Sequence, residues 1–154
     1  MNQLDSNTHA ELLQVNELSP ATAMMLSERI ENGELIVIAG DRTPEHAGRI
    51  SNVSFLGHKA PLPQGAFILA SLLKCPVYLL FCLKQQNKYA IYVELFSERL
   101  IFSRKTRQQE LDISIQKYAR RLEHYCMEAP LQWYNFFSFW HKSTDNPSLK
   151  KTKM

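Results

Sequence analysis

The run Ile36-Val37-Ile38-Ala39-Gly40-Asp41-Arg42 constrains this chain most, because an apolar stretch rich in β-branched residues enters a glycine, a carboxylate and a guanidinium without a spacer. Uninterrupted apolarity of that kind suits a strand covered on both faces, here Leu35 to Ala39. In open α/β sheets, ligands sit beyond the carboxyl ends of strands, so Asp41 and Arg42 are candidate site residues. Asp41 has the chemistry to orient a base or bind a hydroxyl, and the planar fork of Arg42 matches a phosphate or carboxylate. A turn-forming Asp paired with its neighbour in a strand cap explains the same two residues, and the sequence leaves both readings open.

The flanking segments assemble around that strand. Upstream, Ser19-Pro20 opens a helix with a hydroxyl N-cap and a proline in the first turn, Met25, Leu26 and Ile30 follow helical spacing, and Asn32-Gly33 closes it. Residues 40 to 64 read as a long polar stretch with Pro44, Gly48, Gly57, Pro61 and Pro63, and with Val53-Ser54-Phe55 as a short strand inside it. Long connections of this type are usually functional or disordered. Phe55-Leu56-Gly57 and Pro63-Gln64-Gly65 then lead into an apolar helix, Gln64 to Lys74. On this reading Phe55, Gly57, Pro63, Gln64 and Gly65 join Asp41 and Arg42 around a polar mouth above an apolar slot. Gly65 at the helix start also lets backbone N–H groups approach an anion.

The rest of the chain supplies the scaffold. Gly65 to Leu83 is long enough to span a bilayer, but Lys74 and Pro76 interrupt it, and helix formers give way after Pro76 to Val77, Tyr78 and Phe81. A buried helix, a break and a strand from Val77 to Leu83 is the preferred reading. A turn at Gln85-Gln86-Asn87 leads to a strand from Tyr89 to Phe96, whose alternation implies one wet face. A helix from Leu111 to Met127 turns Leu111, Ile115, Tyr118, Ala119, Leu122 and Tyr125 inward and leaves Lys117, Arg120, Arg121 and Glu123 as a solvated face. The expected class is α/β, a mixed β-sheet flanked by helices, in one domain over residues 1–142 with a basic tail over 143–154.

Composition narrows the function classes. At 154 residues, 45% hydrophobic and 21% charged, the chain has the balance of a globular domain. Its net charge of +3 is partly in the tail, and no basic stripe interleaved with stacking aromatics points to nucleic acid. A basic tail fits either plain solvation or attraction to an anionic membrane surface. Cys75, Cys82 and Cys126 are widely spaced and lack any Cys-x-x-Cys pair, which suits reduced core thiols in the cytoplasm and gives no support for zinc. Met1-Asn2-Gln3-Leu4-Asp5 has neither the basic start nor the apolar run of a secretory signal. His9, His46, His58, His124 and His141 show no nucleophile or metal spacing. His46 and His58 lie in the long loop within reach of the site, although a loop His is more often a surface polar residue.

Near the C-terminus, Gln132 to Trp140 packs six aromatics into nine positions. Core packing, an interfacial belt and one wall of an acyl-chain groove all fit it. Taken together, Gly40-Asp41-Arg42, the Phe55-Leu56-Gly57 turn, the Pro63-Gln64-Gly65 step into Leu69-Ala70, and the closing Gln132-Trp133 and Phe139-Trp140 resemble the lysophospholipid acyltransferase superfamily. The resemblance is to the branch of bacterial late acyltransferases of lipid A synthesis and of aryl-polyene lipid pathways. It covers Leu13 to Trp140.

That resemblance implies an acyltransferase of lipid or glycolipid biosynthesis, moving a fatty acyl group from an acyl-carrier-protein or coenzyme A thioester to a hydroxyl of a lipid or glycolipid acceptor. It also implies a peripheral place on the cytoplasmic face of the inner membrane, and no cofactor beyond the donor thioester. Asp41 and Arg42 would contact the polar part of the substrate, with Phe55, Gly57, Pro63, Gln64 and Gly65 shaping the pocket. The family's reaction centre, a His followed by four residues and an Asp, has no counterpart here, and His141 to Asp145 is one residue too short. The expectation is therefore a truncated form in which loss of the general base costs about 10² to 10⁴ in rate, with an inactive remnant that binds lipid or a partner chain as the alternative. A truncated sheet would also expose an edge and invite self-association.

Overall fold

The computed structural model describes residues 19–42, 48–136 and 139–140. Helix α1, Pro20–Glu31, starts where the sequence places it: the Ser19 hydroxyl accepts a hydrogen bond from the Thr22 N–H at 3.1 Å, and Pro20 needs no amide partner in the first turn. It ends at Asn32, with Gly33 at φ +85°, and lies against helix α2, Gly65–Leu73.

Strands β1, Ile50–Phe55, and β2, His58–Pro63, form an antiparallel hairpin that takes up most of the expected polar loop. Alternation explains it. Ser51, Val53 and Phe55 point inward while Ile50, Asn52 and Ser54 face solvent. Leu56 at φ 49° and Gly57 at φ 80° make the two-residue turn, a geometry that matches the twist of the flanking strands. Pro61 and Pro63 obscure β2 in the sequence, yet both are tolerated because β2 has a ladder on one side only.

Strands β3, Val77–Gln85, and β4, Lys88–Ser97, form a second antiparallel hairpin. Helix α3, Arg107–Glu128, packs on β1 and buries Leu111, Ile115, Tyr118, Ala119, Leu122 and Tyr125, the face its spacing predicts. Phe55, Leu62, Leu111 and Ile115 are the largest fully buried side chains. Phe81 of β3 stacks on Tyr125 with ring centroids 4.1 Å apart, so α3 serves as the common support of both hairpins.

The α/β composition therefore stands, but among the described residues two separate two-stranded antiparallel sheets replace the single mixed sheet. Leu35 to Ala39 is not a strand. The segment belongs to no ladder, and Leu35 and Val37 are 92% and 82% exposed. Strand character requires an edge to pair with, and each hairpin pairs only with itself. On β4 the face turned to solvent is the aliphatic one, the reverse of the usual pattern. Cys82, on β3, is exposed on the same side of the hairpin instead of being a core thiol, whereas Cys126 is buried and Cys75 intermediate. Gly65 to Leu83 divides into helix, break and strand, and among the described residues no helix is long and apolar enough to cross a membrane. The basic tail, His9, His46 and His141 lie outside the described residues.

Candidate functional site

Gly40-Asp41-Arg42 forms a corner seated on α3. A Cβ on Gly40 would fall 2.9 Å from the Tyr118 hydroxyl, so the backbone approaches α3 more closely than a side chain permits. Burial pushes the Tyr118 phenol up from its ordinary value, and the Asp41 carboxylate adds to the shift. The Cys126 thiol is likewise pushed up to about 11, first by burial and then by Asp41 and Glu123. The Asp41 charge is thus felt by both inward-facing groups of α3, secondary to their burial. On the outer side, Asp41 Oδ2 lies 3.7 Å from Arg42 Nε, and Arg42 Nη2 donates to the Tyr134 carbonyl at 3.3 Å. The Arg42 side chain as a whole retains 49% exposure.

The other predicted residues divide by depth. Gly57, at the β1–β2 turn, and Gly65, at the start of α2, are exposed, and a Cβ on either would meet no atom within 4 Å. Phe55, Pro63 and Gln64 are interior. Phe55 meets the rings of Trp133, Phe139 and Trp140 at centroid distances of 5.2, 5.6 and 6.3 Å, which makes Trp133 and Phe139 core packing while Trp140 stays 39% exposed. Tyr134 and Phe136 of the same segment are exposed. Gln64 Nε2 donates to the Ile50 carbonyl at 3.2 Å and to Ser51 Oγ at 2.9 Å, while Ser51 in turn donates to Asp112. A buried carboxamide with two partners locks the start of α2 to β1.

Two clusters escaped the sequence reading. An open cleft of about 890 Å³ between α3 and the first hairpin is lined by Asn52, Lys59, Gln108, Asp112, Gln116 and Arg120, among others, and by none of the seven predicted site residues. The second cluster lies under the other hairpin. Arg121 donates through Nε to Glu94 Oε2 at 2.8 Å and through Nη2 to Glu94 Oε1, and the Tyr125 hydroxyl also donates to Oε1. These bonds, Arg121 first and Tyr125 second, hold the Glu94 carboxyl down at about 2. Arg121 thus ties α3 to β4 while staying partly solvated, and Lys117 donates to the Phe96 carbonyl at 2.8 Å. Only Glu94, a lone acid in an apolar strand, signals such a pairing in the sequence.

No protein-family model matches the chain, and no curated protein sequence matches it. Among the described residues, no group of three or more His, Cys, Asp or Glu side chains is arranged to hold a metal ion.

Proposed function

We propose that this chain contributes the amphiphile-binding part of an acyltransferase of lipid or glycolipid biosynthesis, in which Asp41 and Arg42 contact the polar portion of a thioester donor or of the acceptor. One observation carries the reading. A half-exposed arginine side chain follows a segment whose Leu35 and Val37 side chains are almost wholly exposed, so charged and apolar groups lie within a few residues of one another. A ligand with an anionic head and a hydrocarbon tail matches that order of groups, since each methylene removed from water contributes about 0.8 kcal/mol and the fork of Arg42 suits phosphate or carboxylate. Gly65, at the start of α2, and Gly57, in the β1–β2 turn, are exposed, while Phe55, Pro63 and Gln64 are interior, and the reading assigns all five to the walls of the same pocket. Acyl transfer itself requires a general base, which the reading assigns to a His and an Asp not found at that spacing in these 154 residues. The membrane surface, the carrier protein or coenzyme A, and the acceptor lipid belong to the same proposal.

Isothermal titration with an acyl-coenzyme A and with lysophospholipid below its micellar concentration tests it. Arg42→Ala is expected to weaken at least one of the two by about tenfold, the loss of a charge-assisted hydrogen-bonding group. Unchanged affinity for both removes Arg42 from the site. The absent His and Asp spacing favours a second reading, binding without turnover. The two readings separate when an upstream segment carrying that pair is joined to the chain, because only the first predicts that thioester consumption then appears.

A further inference from the structure

The outer face of the β3–β4 hairpin carries more aliphatic surface than a monomer in water accounts for. The register pairs Tyr78 with Leu95, Leu80 with Val93, Cys82 with Ile91 and Lys84 with Tyr89 on that face. Tyr78, Leu80, Tyr89, Ile91, Val93 and Leu95 are each between 49% and 70% exposed. The opposite face bears Leu79, Phe81, Leu83 and Phe96, packed toward the core, and also the one acid of the hairpin's apolar stretch, Glu94, held by Arg121 and Tyr125. Antiparallel sheets ordinarily turn polar residues outward, and here the acid is inside while the outside is apolar but for Lys84 at the turn.

We propose that this face is a homodimer interface, occupied by the same face of a second copy of the chain. By their fractional exposures these six residues, tyrosine hydroxyls included, present on the order of 700 Å², against the roughly 800 Å² that each partner contributes to a standard stable interface and the few hundred Å² of contiguous apolar patch usual on a monomer. The patch is self-complementary. Its centre is aliphatic, its ends are tyrosines and it holds no acid, so a two-fold axis through Leu80 and Val93 brings apolar surface onto apolar surface without opposing charges at the centre. Two sheets stacked in this way interdigitate at about 10 Å separation and leave the unpaired backbone groups of both hairpin edges at the water-exposed rim. A lipid surface is the poorer occupant, because inserting the hairpin flat would carry those edge N–H and C=O groups into hydrocarbon with nothing to satisfy them.

Sedimentation equilibrium of the full chain over micromolar concentrations tests the pairing. The expected mass is twice the 17.9 kDa of one chain. Leu80→Lys, and separately Val93→Glu, each halve it with an unchanged far-UV spectrum, because both positions are exposed within the single chain. Ile113→Lys, an equally exposed aliphatic site on α3, leaves the mass at the dimer value. Alkylation of Cys82 slows as wild-type concentration rises and does not in the Leu80→Lys variant. A wild-type chain that is monomeric throughout overturns the proposal. A monomer that co-sediments with phosphatidylcholine–phosphatidylglycerol vesicles replaces the second copy with a lipid surface. Open-ended growth in mass, or hairpin variants that remain dimeric, rejects this face as the closed contact.

Discussion

The two hairpins share an antiparallel ladder and the support of α3, yet they treat their outer faces in opposite ways. On β1–β2 the residues facing water include Asn52, Ser54, His58 and Lys59, and those facing in include Val53, Phe55, Ala60 and Leu62. Polarity and burial agree. On β3–β4 both faces are apolar, and Glu94 contributes to the choice between them, its three hydrogen bonds to Arg121 and Tyr125 being available only on the α3 side. Where alternation separates polar from apolar, hydrophobic burial alone orients a strand. Where it does not, specific contacts contribute to the choice: the charge-assisted hydrogen bonds of Glu94 to Arg121 and Tyr125 form in one orientation only, as do the ring contacts of Phe81 and Tyr92 with Tyr125.

The largest expected effect tests that contrast at its core. Phe55→Ala empties a fully buried ring site beneath Trp133, Phe139 and Trp140 and is expected to cost about 3–5 kcal/mol in urea unfolding. Val93→Ala, on the outer face of β4, is expected to change stability by about 0.5 kcal/mol or less when both are measured in the Leu80→Lys background. Equal losses at the two positions would mean that the exposed face is packed within the single chain, and the distinction between the hairpins would collapse.

The second effect concerns the acid that helps to orient β4. Glu94 falls from 4.5 to about 2 on folding, so the unfolded chain binds a proton before the folded chain does as pH drops. The stability supplied by the Glu94–Arg121–Tyr125 cluster is therefore complete above about pH 4.5 and is lost progressively towards pH 2. Because the Glu94 side chain keeps 28% exposure and Arg121 keeps 37%, solvent screening reduces the contribution to about 1–2 kcal/mol. Glu94→Gln is expected to flatten the part of the stability curve that falls between about pH 4.5 and pH 3. A variant curve with the wild-type slope would assign the acid sensitivity to other carboxylates and leave the orientation of the second hairpin to its ring contacts.

These cases also show why part of the architecture was legible in the sequence. Helix α3 declared itself through spacing, and α1 through Ser19-Pro20 at one end and Gly33 at the other, because those signals are local. The strand expected at Leu35 to Ala39 failed for a non-local reason: apolarity marks a wish for burial, and only a partner edge converts it into a ladder. Strand β2 was hidden by Pro61 and Pro63, which veto a central strand but not one paired on a single side. At the candidate site, Asp41 and Arg42 were visible as charges after an apolar run. Tyr118, Tyr134 and the Gly40 contact that seat them were not, since they come together across intervals of 78 and 92 positions that no spacing rule spans.

The smallest expected effects lie in the turns, where the contrast between hairpins becomes one of backbone conformation. Gly57 at φ 80° occupies the left-handed region at no steric cost, and Gly57→Ala is expected to destabilise β1–β2 by about 1 kcal/mol. The second hairpin places Gln86 at φ 55°, a conformation that costs a residue with a Cβ about 1–2 kcal/mol. Gln86→Gly removes that cost but gives the unfolded chain more freedom, worth about 0.5–1 kcal/mol in the opposite direction. The net expectation is a stabilisation of about 0.5 kcal/mol, read as a higher urea midpoint with an unchanged slope. A lower midpoint would show that the Gln86 side chain holds the β3–β4 turn through interactions that outweigh its backbone strain. The second hairpin would then be organised from its turn as well as from Glu94, and the two hairpins would differ in how they are closed as well as in which face they hide.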